Sequence, residues 1–249
     1  MLKKSSILLV FTFVFFACKK AEDRACFKGK GDDASLEYVL PIQVDSLMLY
    51  DNLFYTLIDS DEHKVVLKGG DNLLKHIDVQ VGDKKLTLRN KNKCSFLRSF
   101  KNEIHAYIYV DTVRSIHYEG SKQLLSKDTL FSNELRLMIT DGAGDVNLIL
   151  KNSYTSAVIT HGFGNFKLSG YTNAAFLHCN TNSYCDTRKL KVTHGLNVIS
   201  NTVSNMLINA NSHSFKAEIY ESGNIKYVGN PGTVSFSKYG KGNLIDLNN

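Results

Sequence analysis

The sequence has no tryptophan and only two prolines among its 249 residues, and neither scarcity decides a fold alone. Other absences exclude more. No convincing amphipathic helix of useful length runs through Leu36 to Tyr118. No Ser-His-Asp order, Gly-x-Ser-x-Gly elbow or phosphate-binding loop is present, so the common hydrolase and nucleotide signatures are missing. The cysteines lack a paired Cys-x2–4-Cys, and no histidine set complements them, which argues against zinc. His161 and His194, in two Thr-His-Gly steps, have no metal-ligand spacing either. No motif calls for a cofactor.

Strong charge is also missing. The formal balance is +6, and removing Lys3 and Lys4 with a cleaved leader leaves +4 over about 230 residues, too weak to imply nucleic acid. The apolar run Ile7 to Phe16 is ten residues long, about half of a bilayer span, and follows Lys3 and Lys4. It ends at Ala17-Cys18, which resembles a bacterial lipoprotein signal: residues 1–17 are removed and Cys18 is lipidated. The polar stretch 18–35 reads as a flexible tether. Its Lys-Ala-Glu-Asp, Lys20 to Asp23, resembles the short acidic signal of surface-displayed Bacteroidetes lipoproteins. The expected place is the outer membrane, surface-exposed or periplasmic, with the membrane as a partner through the anchor. Cys26, Cys94, Cys179 and Cys185 then lie in an oxidising compartment, where four cysteines allow three pairings.

What the sequence does have is a period. "ITDGAGDVNLIL", Ile139 to Leu150, is followed 20 residues later by "ITHGFGNFKLSG", Ile159 to Gly170. Steps of 20 from Asp145 reach Asn165, Cys185 and Asn205, and steps of 19 then reach Asn224 and Asn243. An apolar column reads Ile139, Ile159, Cys179, Ile199 and Ile219, and a second reads Val146, Phe166, Asp186, Met206, Ile225 and Leu244. Glycines mark the turns. A fixed period near 20 with apolar alternation signals stacked coils of short strands and tight turns. Of 22 asparagines, 17 fall in the last 119 residues, which favours an amide ladder along a solenoid over a sandwich. The expected fold is all-β: a right-handed, single-stranded β-helix or β-solenoid with about 20 residues per coil over 119–249. Residues 36–118 are a strand-rich N-terminal part, either a separate domain or the first coils. Cys179 occupies an isoleucine column and Cys185 breaks the asparagine column, and a disulfide between them across one turn is one of the pairings left open.

Several stretches resemble the head GIN domain family of auto-transporter adhesins from Bacteroidetes. These are "VVLKGGDNLLKHIDVQVGDKKLTL" (Val65 to Leu88), "EIHAYIYVDTVRSIHYEGSK" (Glu103 to Lys122), the glycine-punctuated coils, and "IKYVGNPGTVSFSKYGKGNLI" (Ile225 to Ile245). The coils at 179–185 and 199–205 lack the usual glycines, and Val110-Asp111 stands where the family often has proline. The resemblance implies an exported, solenoid-like protein and transfers no catalytic residue.

Catalysis by a β-helix enzyme would need clustered carboxylates. Asp141 and Glu221 share a polar column with His161, Thr181 and Asn201, which lacks the paired groups of general acid–base chemistry. The expectation is therefore no enzyme and no metal. One basic stretch, Lys84 to Lys101, holds seven cations and no acid. Lys91, Lys93, Arg98 and Lys101, with Phe96 and Phe100, are its candidate contacts to an anionic glycan or other surface polymer. Self-association through the solenoid ends, giving a homo-oligomer, is the structural alternative.

Overall fold

The structure, a computed structural model, describes residues 29–93 and 102–248. Its strands are β1 (Asp33–Val39), β2 (Ser46–Asp51), β3 (Phe54–Asp59), β4 (Lys64–Gly70), β5 (Ile77–Gly82), β6 (Lys85–Asn90), β7 (His105–Val110), β8 (Ser115–Gly120) and β9 (Leu124–Phe131). They continue as β10 (Glu134–Ile139), β11 (Asp145–Ile159), β12 (Asn165–Thr181), β13 (Cys185–Thr202), β14 (Met206–Asn209), β15 (Ser214–Ile219), β16 (Ile225–Val228), β17 (Thr233–Lys238) and β18 (Leu244–Asp246). A single helical turn, α1 (Asp71–Leu74), follows β4. The chain winds into a β-solenoid of about 7 turns, roughly 20 residues apart.

Alternation builds the core. In β10, Leu135, Leu137 and Ile139 point inward and are buried, while the residues between them face out. Parallel pairing then stacks like position on like position. One inward column runs Leu47, Ile116, Leu137, Ala157, Leu177, Val198, Ala217 and Phe236. Each large aliphatic side chain buried this way contributes about 1.5–3 kcal/mol. Tyr55 and Tyr118 meet edge to face at 6.3 Å within the same core. The Tyr55 hydroxyl donates to the Tyr50 carbonyl at 2.7 Å, and burial pushes its pKa up.

Spatial order departs from chain order at the N-terminal end. β2 lies between β6 and β8, and β3 lies between β7 and β9, all in parallel. The coil made by residues 46–59 is thus intercalated between two coils made later in the chain. This explains why no 20-residue step is visible before Tyr118. Antiparallel strands close this end: β4 pairs with β1 and β7, and β5 with β6. The β5–β6 turn, Asp83-Lys84, has φ of 51° and 59°, as a two-residue type I′ hairpin requires. At the other end, β17 and β18 have, among the described residues, parallel neighbours on one side alone.

The structure corrects the columns at two places. Phe166 pairs with Cys185, so Cys185 is inside and Tyr184 interrupts the polar ladder. Asp186, assigned to the apolar column, faces outward against Lys167. Cys179 pairs with Ser200 instead of Ile199, and Ser200 is fully buried. The second change comes from the two register shifts between β12 and β13, at Lys167/Ser169 and Thr172/Ala174, which carry the step from 19 to 21 before Ser200. The first comes from the tight corner after Cys179. There the Ser183 amide donates to the Asn180 carbonyl at 3.2 Å, and Thr181 takes φ 60° where the corner above has Gly162. The corner closes one residue early, and the next coil is one longer: Cys185 pairs with Met206. A fixed step of 20 passes over a 19 followed by a 21.

The ladder itself is present. Asn165 Nδ2 donates to Asp145 Oδ1 at 3.0 Å, Asn224 Nδ2 to Asn205 Oδ1 at 3.0 Å, and the Asn243 amide to Asn224 Oδ1 at 2.8 Å.

Candidate functional site

The strands of one corner do not stack evenly. Between β9 and β11 the register shifts between Asn147 and Ile149, and between β12 and β13 it shifts between Lys167 and Ser169. Such bulges bend the strand and re-aim side chains. Here they open a groove of about 860 Å³ across successive coils, within the usual range of ligand sites.

Its floor is aliphatic: Leu125, Leu148, Ile149, Leu168 and Val228. Ser126 holds the first bulge, its Oγ accepting the Ile149 amide at 2.8 Å. The rim carries Lys167, Lys189, Arg188 and Asp186. Arg188 is spent on Asp186, with Nε to Oδ1 at 3.0 Å and Nη2 to Oδ2 at 2.6 Å. That bidentate pair holds the Asp186 carboxyl below the usual carboxylate range. Lys167 and Lys189 are exposed, and neither makes an ion pair among the described residues. The groove therefore keeps a net charge of about +2 over an apolar floor, with Lys167 also in the field of the Asp186 carboxylate. Asn147 adds a buried Oδ1 without a hydrogen-bond partner, an acceptor for a ligand hydroxyl.

The residues singled out from sequence fall elsewhere. Lys91 is paired with Asp78 at 2.6 Å, and Lys93 is exposed. Arg98, Lys101, Phe96, Phe100, Cys94, Cys26 and Cys18 lie outside the described residues. Cys179 and Cys185 are buried free thiols in side-chain contact. Asp141 and Glu221 are exposed on the corner column, which runs through Thr202 in place of Asn201. They stand four coils apart, about 19 Å at a coil spacing of ~4.8 Å. Among the described residues no cluster of three or more metal-ligating side chains occurs, and no helix is long and apolar enough to cross a membrane.

Sequence reasoning missed the groove because bulges leave no periodic mark. The one local signal was Asp186-Thr187-Arg188, where alternation puts both charges on one face.

Solved structures share this architecture. An adhesin from Bacteroides fragilis, described as putative, superposes with a TM-score of 0.78 at 22% identity, over 87% of this chain and 97% of that one. A protein from Parabacteroides distasonis described as a putative lipid binding protein gives 0.65 at 16%, over 88% and 98%. A putative adhesin from Parabacteroides merdae gives 0.64 at 16%, also over 88% and 98%. Among curated proteins none is detectably similar in sequence. The family described as "Putative auto-transporter adhesin, head GIN domain" matches residues 45–231, and the chain belongs to that family.

Proposed function

We propose that the chain is a non-enzymatic binding module of the cell envelope, anchored by lipid at Cys18, that takes an anionic glycan or other anionic surface polymer along its corner groove. Membership in an adhesin family points to a surface or extracellular location, and outer-membrane anchoring is the finer reading that the leader supports.

One observation carries the proposal. Lys167 and Lys189 stand unpaired on adjacent coils above an aliphatic floor that runs along the rod. A polymer can lay C–H faces on Ile149 and Leu125 while its acid groups meet the two ammonium groups, in a setting where nearby apolar walls strengthen the attraction. Lys93, Arg98 and Lys101 are proposed as a second basic contact, with Lys91 already held by Asp78. A glycosidase reading fares worse: carboxylates about 19 Å apart exceed the ~5–9.5 Å of paired acids in glycoside hydrolysis.

The test is an array of anionic and neutral polymers probed with residues 19–249. Binding is expected on anionic polymers, weakened by salt, and reduced at least about tenfold by the Lys167→Gln/Lys189→Gln double variant. Equal binding to neutral polymers, or no effect of the double variant, overturns the groove as the site. Binding to phosphatidylglycerol vesicles without any polymer would point to a lipid ligand, the class for which the P. distasonis relative is named.

A further inference from the structure

The two ends of the rod differ. The first coil is closed by β1, β4 and the β5–β6 hairpin, whereas among the described residues no strand pairs with the outer edge of the last coil. Inward positions that are sealed one coil above become exposed there. Phe215 and Ala217 are buried, but Val234 and Phe236, their neighbours in β17, are 49% and 41% exposed.

The hydrogen-bond phase of β17 is fixed. The amides of Thr233 and Tyr239 donate to the carbonyls of His213 and Ile219, so odd-numbered residues of β17 bond to β15. The N–H and C=O groups of Val234, Phe236 and Lys238 therefore point along the bare edge. The edge carries none of the devices that usually block pairing in its middle: no proline, no bulge and no charge between Thr233 and Ser237. Of the charges nearby, Lys238 and Asp246 are already satisfied within the coil, and Lys241 is exposed in the turn between β17 and β18. Lys238 Nζ donates to Asn243 Oδ1 at 2.7 Å, and Asp246 accepts from Tyr227 and Asn248.

We propose that a second copy of this chain docks on this end, β17 pairing antiparallel with β17 about a two-fold axis at Ser235. The register follows from parity. Residues facing one another across an antiparallel pair must point to the same side, and hydrogen-bonded pairs must both present their groups to the edge. Val234 opposite the partner's Phe236 meets both conditions, and symmetry repeats the pair, giving four backbone bonds and two apolar cross-strand contacts on the core side. The alternative axis at Phe236 would set Lys238 against the partner's Val234, an unfavourable match. Ser235 faces the partner's Ser235 on the outer side, at a non-hydrogen-bonded position. An isologous contact of this kind closes at two copies and leaves no edge for a third. It lies away from the corner groove and stands or falls independently of the ligand.

The experiment reads mass by sedimentation velocity over about 1–100 µM with residues 19–249, a range in which a specific interface of this kind is populated. The wild-type chain is expected to double its mass. Phe236→Lys is expected to remain a monomer with an unchanged circular dichroism spectrum. Val234→Pro removes an N–H that only the partner uses, so it too should stay folded and monomeric. Ser235→Cys should form a symmetric disulfide dimer under air or oxidised glutathione, because the paired Cα atoms lie ~4.5 Å apart; Thr233→Cys, opposite the partner's Ser237, should not. A wild-type monomer at the highest concentration overturns the proposal, as does a dimer that survives Phe236→Lys. Failure of Ser235→Cys to cross-link beyond the wild-type background overturns the register and with it the edge-to-edge contact.

Discussion

Cys179 and Cys185 face each other across a single corner of the rod, both fully buried and both thiols. Burial pushes the Cys185 thiol well above its ordinary pKa, and the neighbouring Cys179 adds to the shift. A buried, protonated thiol is a poor nucleophile. Iodoacetamide should leave both unlabelled in the native protein and label both after unfolding, as read by peptide mass mapping. Labelling that needs prior reduction would show that the pair closes into a bridge instead.

Asn165 bonds in both directions: its Nδ2 donates to Asp145, and its Oδ1 accepts the Tyr184 amide at 3.0 Å. Asn165→Ala leaves that half-covered N–H without its acceptor. The expected loss is about 1–2 kcal/mol in urea unfolding. A change below ~0.3 kcal/mol would mean that water replaces the ladder without cost.

How much of this was legible in the sequence depends on the residue. Gly142, Gly162, Asn165 and Asn224 recur in phase because a turn and an amide bond need particular residue types. Their spacing alone predicts stacked coils. Tyr184 was misplaced because the corner after Cys179 closes a residue early, and Ser200 because two register shifts between β12 and β13 then add two residues; the 21-residue step from Cys185 to Met206 hides the slip. The intercalation of β2 and β3 left no trace at all, since parallel pairing asks only for alternation. Lys167 and Lys189 read as ordinary outward residues; the bulges that gather them arise from unequal strand lengths on neighbouring coils.

Gly170 sits in β12 between Leu150 and Leu190 with φ 100°. A Cβ there would run into the Leu150 carbonyl oxygen. Gly170→Ala combines left-handed strain with a backbone clash and should cost about 2–4 kcal/mol. An unaltered urea midpoint would show that β12 can shift freely.

His178 is half-buried on β12, and desolvation lowers its pKa despite a hydrogen bond with Asn180. The unfolded chain therefore takes up the proton first as pH falls. Stability from this group is fully present above the unfolded pKa, about 6.5, and is lost as pH drops toward the lower folded value. His178→Gln should flatten the decline in urea midpoint between about pH 7 and 5. Identical slopes for the two proteins would remove His178 as the cause.

The paired 19- and 21-residue coils carry a consequence for how such a protein can diverge. An inward column asks each member for approximate size and apolarity, and a stacked column has no jigsaw partner to match. A corner can lose a residue when the next coil gains one, and every column beyond returns to place. Insertions, deletions and drift are thus absorbed locally, one turn at a time, so lineages can lose nearly all recognisable identity while the rod persists.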